Sequence, residues 1–197
     1  KTCLSSTKKK DPVFSSLCTL NRSLIQTIRG KKGLSNAALE KHNATLASAN
    51  TSLATGSALA KTAEMYVDSK NYAQSLKLLQ QAERQFEAAG SVPAKTRNHI
   101  RIARVLQLQG DHGGARARIQ SAIGSLHQLK NRPMLVQAYG LLGKDAETRS
   151  QMDQALDYYA KSLQAARAVG SPQLIGQASL ALCEANHKKG SGKTAET

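Results

Sequence analysis

The apolar residues of this chain recur at helical spacing between short stretches of residues that break helices. Leucine, alanine and aromatic side chains return every three or four positions over 76–86 and over 156–166, as on the buried face of an amphipathic helix. The breaking stretches combine glycine or asparagine with a proline, at 90–93, 131–133 and 170–172. We expect the glycine or asparagine near the position that follows a helix end, and the proline where the next helix begins. The pattern predicts pairs of antiparallel helices, each roughly 14–18 residues long, and no sheet.

Positions of the same size and polarity recur every 40 residues. Four columns show this, two of small residues and two of mostly large apolar residues: Ser75, Ala115 and Ala155; Ala82, Ala122 and Ser162; Leu39, Leu79, Ile119 and Tyr159; and Leu46, Phe86, Leu126 and Ala166. Small residues allow the two helices of a hairpin to approach closely. A single hairpin cannot bury its apolar face, whereas stacked neighbours can. The sequence therefore predicts an all-α protein of stacked antiparallel helix hairpins.

The residues around each turn resemble the tetratricopeptide repeat (TPR). They are the first small position at Ala63, Ala103, Gly143 and Cys183, the large position at Tyr66 and Leu106, the turns at 71–72 and 110–111, and the later small position at Ser75, Ala115 and Ala155. The resemblance implies a right-handed α-solenoid of about four hairpins plus a terminal helix. The period of 40 is longer than the common 34, as in longer-helix variants of the family. The family's early tryptophan is absent, so a HEAT-type or other α-solenoid is the alternative.

Four segments are expected along the chain. Residues 1–10 form a flexible basic tail, and 11–54 form a divergent N-terminal helical hairpin that starts at an Asp-Pro pair. The resemblance assigns 55–190 to the TPR-like repeats, and 191–197 form a C-terminal tail. Ala195 falls in the column of small residues, which would fit an array cut from a longer one.

Charge is the extreme property of this composition. The chain has 28 Lys and Arg against 13 Asp and Glu, a formal net charge of +15, which would attract an acidic protein segment, a nucleic acid or an anionic membrane face. No run of 18 apolar residues is present, so no transmembrane segment is expected. The sequence leaves the compartment open and slightly favours the cytoplasm or nucleus.

The sequence does not point to an enzyme. The five histidines lack metal-ligand spacing with cysteine or carboxylate, and the three cysteines are too scattered for a disulfide framework or a zinc site. Residues 190–194 end like a phosphate-binding loop, but His187 stands where that motif needs glycine, and a helix rather than a strand precedes it. We therefore expect no catalytic residue, no cofactor and no metal.

A cluster of basic residues is the candidate binding site. In tetratricopeptide arrays the first helix of each pair lines a concave groove. The resemblance places Arg97, Arg104 and Lys144 at positions that face a ligand there, with Lys61 and Arg101 at a neighbouring position. Glu64 and Glu184 share the column of Arg104 and Lys144, so this groove would be positive at its middle and acidic toward its ends. One guanidinium group can donate two parallel hydrogen bonds to two oxygens of a carboxylate or phosphate. The alternative is a solvated basic face that serves solubility.

The leading hypothesis is a scaffold for protein–protein interaction. Its concave, basic-centred groove would bind an acidic or extended peptide segment of a protein partner without chemistry. Nucleic-acid binding through the same basic surface is one alternative, although the aromatic content of 4% argues against stacking on single strands. Self-association, or a role as a sensor segment of a larger regulator, is the other.

Overall fold

The described part of this computed structural model comprises Thr19 and residues 53–194, and it contains helices and no strand. Seven helices follow one another over residues 53–194: α1 Leu53–Asp68, α2 Tyr72–Ala88, α3 Val92–Gln109, α4 His112–Gln128, α5 Arg132–Thr148, α6 Met152–Val169 and α7 Pro172–Thr194. The prediction of an all-α protein is confirmed. The expected basic tail and N-terminal hairpin lie outside the described residues, except for Thr19 and residues 53–54. Helix α7 has 23 residues and extends past residue 190.

A left-handed residue ends a helix every 20 residues along the described chain. These residues are Lys70, Gly90, Gly110, Lys130, Ser150 and Gly170, with φ between 52° and 86°. At the end of α4, the Lys130 N–H donates to the carbonyl of His127 at 3.1 Å and the Asn131 N–H to that of Leu126 at 2.9 Å. This pair of bonds satisfies carbonyls that the helix leaves open. The same pair closes the turns after α1, α2, α3 and α5, so each 40-residue period contains two equivalent turns.

One detail of the predicted turns is wrong. Asn131 does not occupy the left-handed position that ends α4, because Lys130 does. Asn131 is the N-cap of α5, where its side chain accepts a hydrogen bond from the Met134 N–H at 3.3 Å. Asn71 and Asp111 cap α2 and α4 in the same way. The expected proline, Pro133, does lie in the first turn of α5.

The chain divides into two compact units, 1–98 and 99–197, with the boundary inside α3. In the first unit α1 packs against α2. Five large side chains there are at most 2% exposed: Leu59, Tyr66, Leu78, Leu79 and Phe86. The start of α3 joins them through Asn98, whose Nδ2 donates to the Leu79 carbonyl at 2.8 Å.

In the second unit α5 packs against α4, α6 and α7, and α6 also packs against α7. The end of α3 contributes Ala103 to the main apolar cluster, together with Ile119 and Leu126 of α4 and Leu142 of α5. All four side chains are at most 1% exposed. The small and apolar positions that recur in the sequence therefore lie in the core.

Small residues lie where two helices of a hairpin are closest. A Cβ on Gly143 of α5 would lie 2.6 Å from the ring of Tyr159 on α6, and a Cβ on Gly56 of α1 would lie 2.6 Å from the ring of Phe86 on α2. Both distances are well inside van der Waals contact. Glycine therefore accommodates an aromatic ring on the facing helix at both places, and of the two only Gly143 lies in a small column predicted from the sequence.

Candidate functional site

The five cations predicted as a binding site lie on three helices. Lys61 is on α1, Lys144 is on α5, and α3 carries Arg97, Arg101 and Arg104. Arg97, Arg104 and Lys144 are exposed, whereas Lys61 and Arg101 are half-buried and each makes a polar or charged interaction. Neither Arg97 nor Arg104 forms an ion pair with any residue in the described ranges.

Exposure follows the repeat register on these helices. The column of Arg104 and Lys144, which also contains Glu64 and Glu184, is exposed at all four positions. The neighbouring column of Lys61 and Arg101 is half-buried at all four positions, and its other two members are the apolar residues Leu141 and Ala181. The charged column is therefore a solvent-facing column on the first helices of the pairs.

Lys144 donates a hydrogen bond to a carboxylate that it shares with two other groups. Its Nζ lies 3.1 Å from Oε2 of Glu147 on the next turn of α5. The hydroxyl of Tyr159 on α6 donates to the same oxygen at 3.0 Å, and Lys188 of α7 donates to Oε1. The carboxylate thus joins three helices of the second unit. Glu184 also interacts electrostatically with Lys188, so two carboxylates offset the two lysines.

This hydrogen bonding changes the acidity of both partners. Burial alone would raise the pKa of Glu147, but the hydrogen bonds from Lys188, Lys144 and Tyr159 outweigh it and lower that pKa to about 2. Burial and the hydrogen bond to Glu147 raise the pKa of the Tyr159 hydroxyl. Glu147 is therefore ionised and Tyr159 neutral at neutral pH.

A second buried carboxylate collects three basic side chains in the same unit. The Asp145 side chain is fully buried; its Oδ1 lies 2.8 Å from Nδ1 of His112, and its Oδ2 lies 2.9 Å from Nη2 and 3.0 Å from Nε of Arg149. The Arg116 guanidinium lies 3.9 Å away. Breaking such a buried group of charges is costly. Its contacts join α4 to α5, so its role is structural.

These contacts also reduce the free positive charge of the basic stretch 95–132. Asp145 partly neutralises Arg116, and Lys95 pairs with Glu87 at 2.6 Å. Neither acid lies inside that stretch of sequence. The exposed arginines of α3 therefore keep more of their charge than several of their neighbours.

The sequence contains a signal for the Asp145 cluster in the register of its column. Asp145 shares its column with Met65, Val105 and Ala185, so it is the acid in an otherwise apolar column. An ionisable residue in a core column needs a charged or hydrogen-bonding partner. Arg149 stands four residues later, within reach on the same helix.

Three further sequence features can be located in the described residues. Residues 190–194, which end like a phosphate loop, continue helix α7. No group of three or more His, Cys, Asp or Glu within the described residues is placed to hold a metal ion. No helix of the described part is long and apolar enough to cross a membrane.

Paired antiparallel helices with a 40-residue period place this chain in the class of all-α helix-hairpin repeat proteins with a TPR-like fold. Solved structures agree. A Podospora anserina protein, described as a kinesin light chain with nearly identical TPR-like repeats, matches 95% of this chain and 92% of its own, with a TM-score of 0.72 and 14% identity. BtubC (BKLC) of P. vanneervenii matches 94% and 78%, with a TM-score of 0.71 and 12% identity.

Aspartyl phosphate phosphatase F of Bacillus subtilis is similar over 88% of this chain, with a TM-score of 0.70 and 16% identity, and the chain spans 45% of that protein's length. No protein-family model and no curated protein matches the sequence. At these identities the likeness shows the fold. The predicted resemblance to the tetratricopeptide repeat is confirmed at that level.

Proposed function

We propose that this protein is a non-catalytic interaction module that binds an acidic, extended peptide segment of a partner protein. The observation that carries the proposal is the exposed pair Arg97 and Arg104 on α3, which has no ion pair in the described ranges. The two residues are seven positions apart, about 10 Å along a helix. They therefore project from one side of α3 at a spacing that suits carboxylates two or three residues apart in an extended peptide.

Two further observations support this ligand. Lys144 occupies the register position of Arg104 on α5 and remains 64% exposed although it donates to Glu147. Arginine presents a planar fork of donors that fits a carboxylate, and charge-assisted bonds of this kind are stronger than neutral ones. The net charge of +15 adds long-range attraction for an acidic partner.

The test uses charge reversal at the two arginines. The Arg97→Glu, Arg104→Glu variant is compared with the wild type for binding of a labelled oligoglutamate of about ten residues, measured by fluorescence anisotropy at low salt. We expect a loss of affinity of at least tenfold, because two charge-assisted contacts become repulsive. Circular dichroism shows whether the variant retains its helices.

The chain offers a matched control on another helix. Lys77 and Arg84 of α2 are exposed and are also seven residues apart, so Lys77→Glu, Arg84→Glu changes the net charge equally. Affinity within twofold of the wild type is expected for this control. Equal losses in both variants would mean that net charge alone attracts the probe, and the proposal would be rejected.

Nucleic-acid binding is distinguished in the same assay. A labelled single-stranded oligonucleotide replaces the peptide at two salt concentrations. Neutralising several phosphates produces a steep loss of affinity with salt. Tight, salt-sensitive binding of the oligonucleotide, with no binding of oligoglutamate, would favour the nucleic-acid alternative and contradict the peptide proposal.

A further inference from the structure

The second unit contains an open cleft between α4, α5 and α6 that is separate from the five predicted site residues. Its volume is about 530 Å³, and its lining includes Lys130, Arg132 and Lys161 but no carboxylate. The cleft is large enough for several side chains of a ligand. Three cations thus converge on one recess from the end of α4, the start of α5 and the middle of α6.

The positive charge of the cleft is only partly offset nearby. Lys161 pairs with Asp157 at 2.6 Å, an exposed side chain that does not line the cleft. Lys130 and Arg132 make no ion pair within the described residues. The first turn of α5 holds no acid that would offset these charges.

Several polar groups of the cleft are already oriented. The Arg132 Nη1 donates to the Ala168 carbonyl of α6 at 3.3 Å, which holds the guanidinium across the cleft. His127 and Tyr139 form a hydrogen bond of 3.2 Å between Nε2 and the hydroxyl, and both line the cleft. Leu135 provides an apolar wall. The cleft therefore combines cations, further hydrogen-bonding groups and an apolar side, as a ligand-binding recess does.

The repeat pattern does not account for these cations. One period away, Gly90 and Gly170 stand in the position of Lys130, Val92 in that of Arg132, and Ser121 in that of Lys161. Lys130 has φ of 52°, a left-handed conformation that favours glycine. Lysine at this turn therefore costs some stability relative to glycine, and its side chain lines the cleft.

We propose that this cleft binds a phosphorylated side chain of a peptide. A phosphomonoester carries close to two negative charges and three acceptor oxygens, which matches two unpaired cations flanked by further donors. A carboxylate, with less charge and fewer oxygens, would leave some of these cations and donors without a contact. The recess also suits a phosphate at the end of a side chain, with the apolar wall contacting the neighbouring peptide residues.

The test exploits the unfavourable turn conformation of Lys130. Lys130→Gly removes a cation from the cleft and relieves the left-handed lysine, so we expect a higher melting temperature together with about tenfold weaker binding. The probe is a labelled peptide of about ten glycine and alanine residues with one central phosphoserine. Its unphosphorylated form should bind at least tenfold more weakly to the wild type.

Lys70→Gly is the matched control. Lys70 occupies the equivalent turn after α1, with φ of 58°, so the substitution removes the same charge from the same conformation outside the cleft. Phosphopeptide affinity within twofold of the wild type is expected. Any one of four results would overturn the proposal. Two concern the peptides: equal weakening in both variants, and equal binding of the unphosphorylated peptide. The other two are competition by inorganic phosphate at the same concentration as the peptide, and capture by phosphatidic acid vesicles without peptide binding. The Arg97→Glu, Arg104→Glu variant should retain phosphopeptide binding, so the two proposals can fail separately.

Discussion

Removing the charge of Glu147 should destabilise the second unit in a pH-dependent manner. Its carboxylate accepts hydrogen bonds from Lys144, Lys188 and Tyr159. These contacts lower the pKa of Glu147 from 4.5 to about 2 in the folded state. Because the folded pKa is the lower one, the stabilisation is present above about pH 4.5 and disappears as the pH falls toward 2.

The size of the effect follows from this change in pKa. Each pKa unit corresponds to about 1.4 kcal/mol, so the full change would give about 3.4 kcal/mol at neutral pH. Lys144 and Lys188 are 64% and 54% exposed, and water screens their attraction. We therefore expect Glu147→Gln to lower the free energy of unfolding by about 1–2 kcal/mol at pH 7.

The assay is urea unfolding of the wild type and of Glu147→Gln at pH 7, 5, 3 and 2. The difference in unfolding free energy should be largest at pH 7 and 5, smaller at pH 3, and close to zero at pH 2. Asp68→Asn is the control, because Asp68 is an exposed acid at the end of α1, and it should change stability by less than about 0.5 kcal/mol. A difference that stays constant from pH 7 to 2 would refute the electrostatic account.

The buried contacts give two further predictions for urea unfolding at pH 7. Asp145→Asn should cost about 2–3 kcal/mol, less than a fully enclosed ion pair, because its basic partners are partly exposed; a loss under about 0.5 kcal/mol would show that the cluster contributes nothing. Gly143→Ala should cost about 1–3 kcal/mol by forcing the Tyr159 ring to move. The same substitution should cost less in a Tyr159→Leu background, which already lacks the ring and its hydrogen bond to Glu147. An equal cost of Gly143→Ala in both backgrounds would contradict the packing explanation.

Much of the fold was predictable because the core is periodic. The columns of Ser75, Leu79 and Ala82 were visible as sequence spacing, and the structure buries all three residues. The physical reason is that every hairpin presents the same face to its neighbours. Periodicity could not decide the role of Asn131, because asparagine suits both a left-handed helix end and an N-cap. In such a tight turn these two positions are adjacent in sequence, as Lys130 and Asn131 are.

The polar sites were less predictable because their partners are far apart in sequence. His112 and Asp145 are 33 residues apart, and Lys188 and Glu147 are 41 apart. Neither separation is a multiple of the helical or repeat period, so no column connects them. The cleft cations Lys130 and Lys161 converge for the same reason, through the packing of α4, α5 and α6. Exposure of Arg104 was predictable, because it follows from the register alone.

The central claim is that the arginines of α3 contact an acidic peptide. Its most direct test is an NMR titration of the arginine Nε–H resonances with unlabelled oligoglutamate. We predict that the signals of Arg97 and Arg104 shift in a saturable manner, while that of Arg84 on α2 stays in place. Larger shifts at Arg84, or equal shifts at all exposed arginines, would contradict the account.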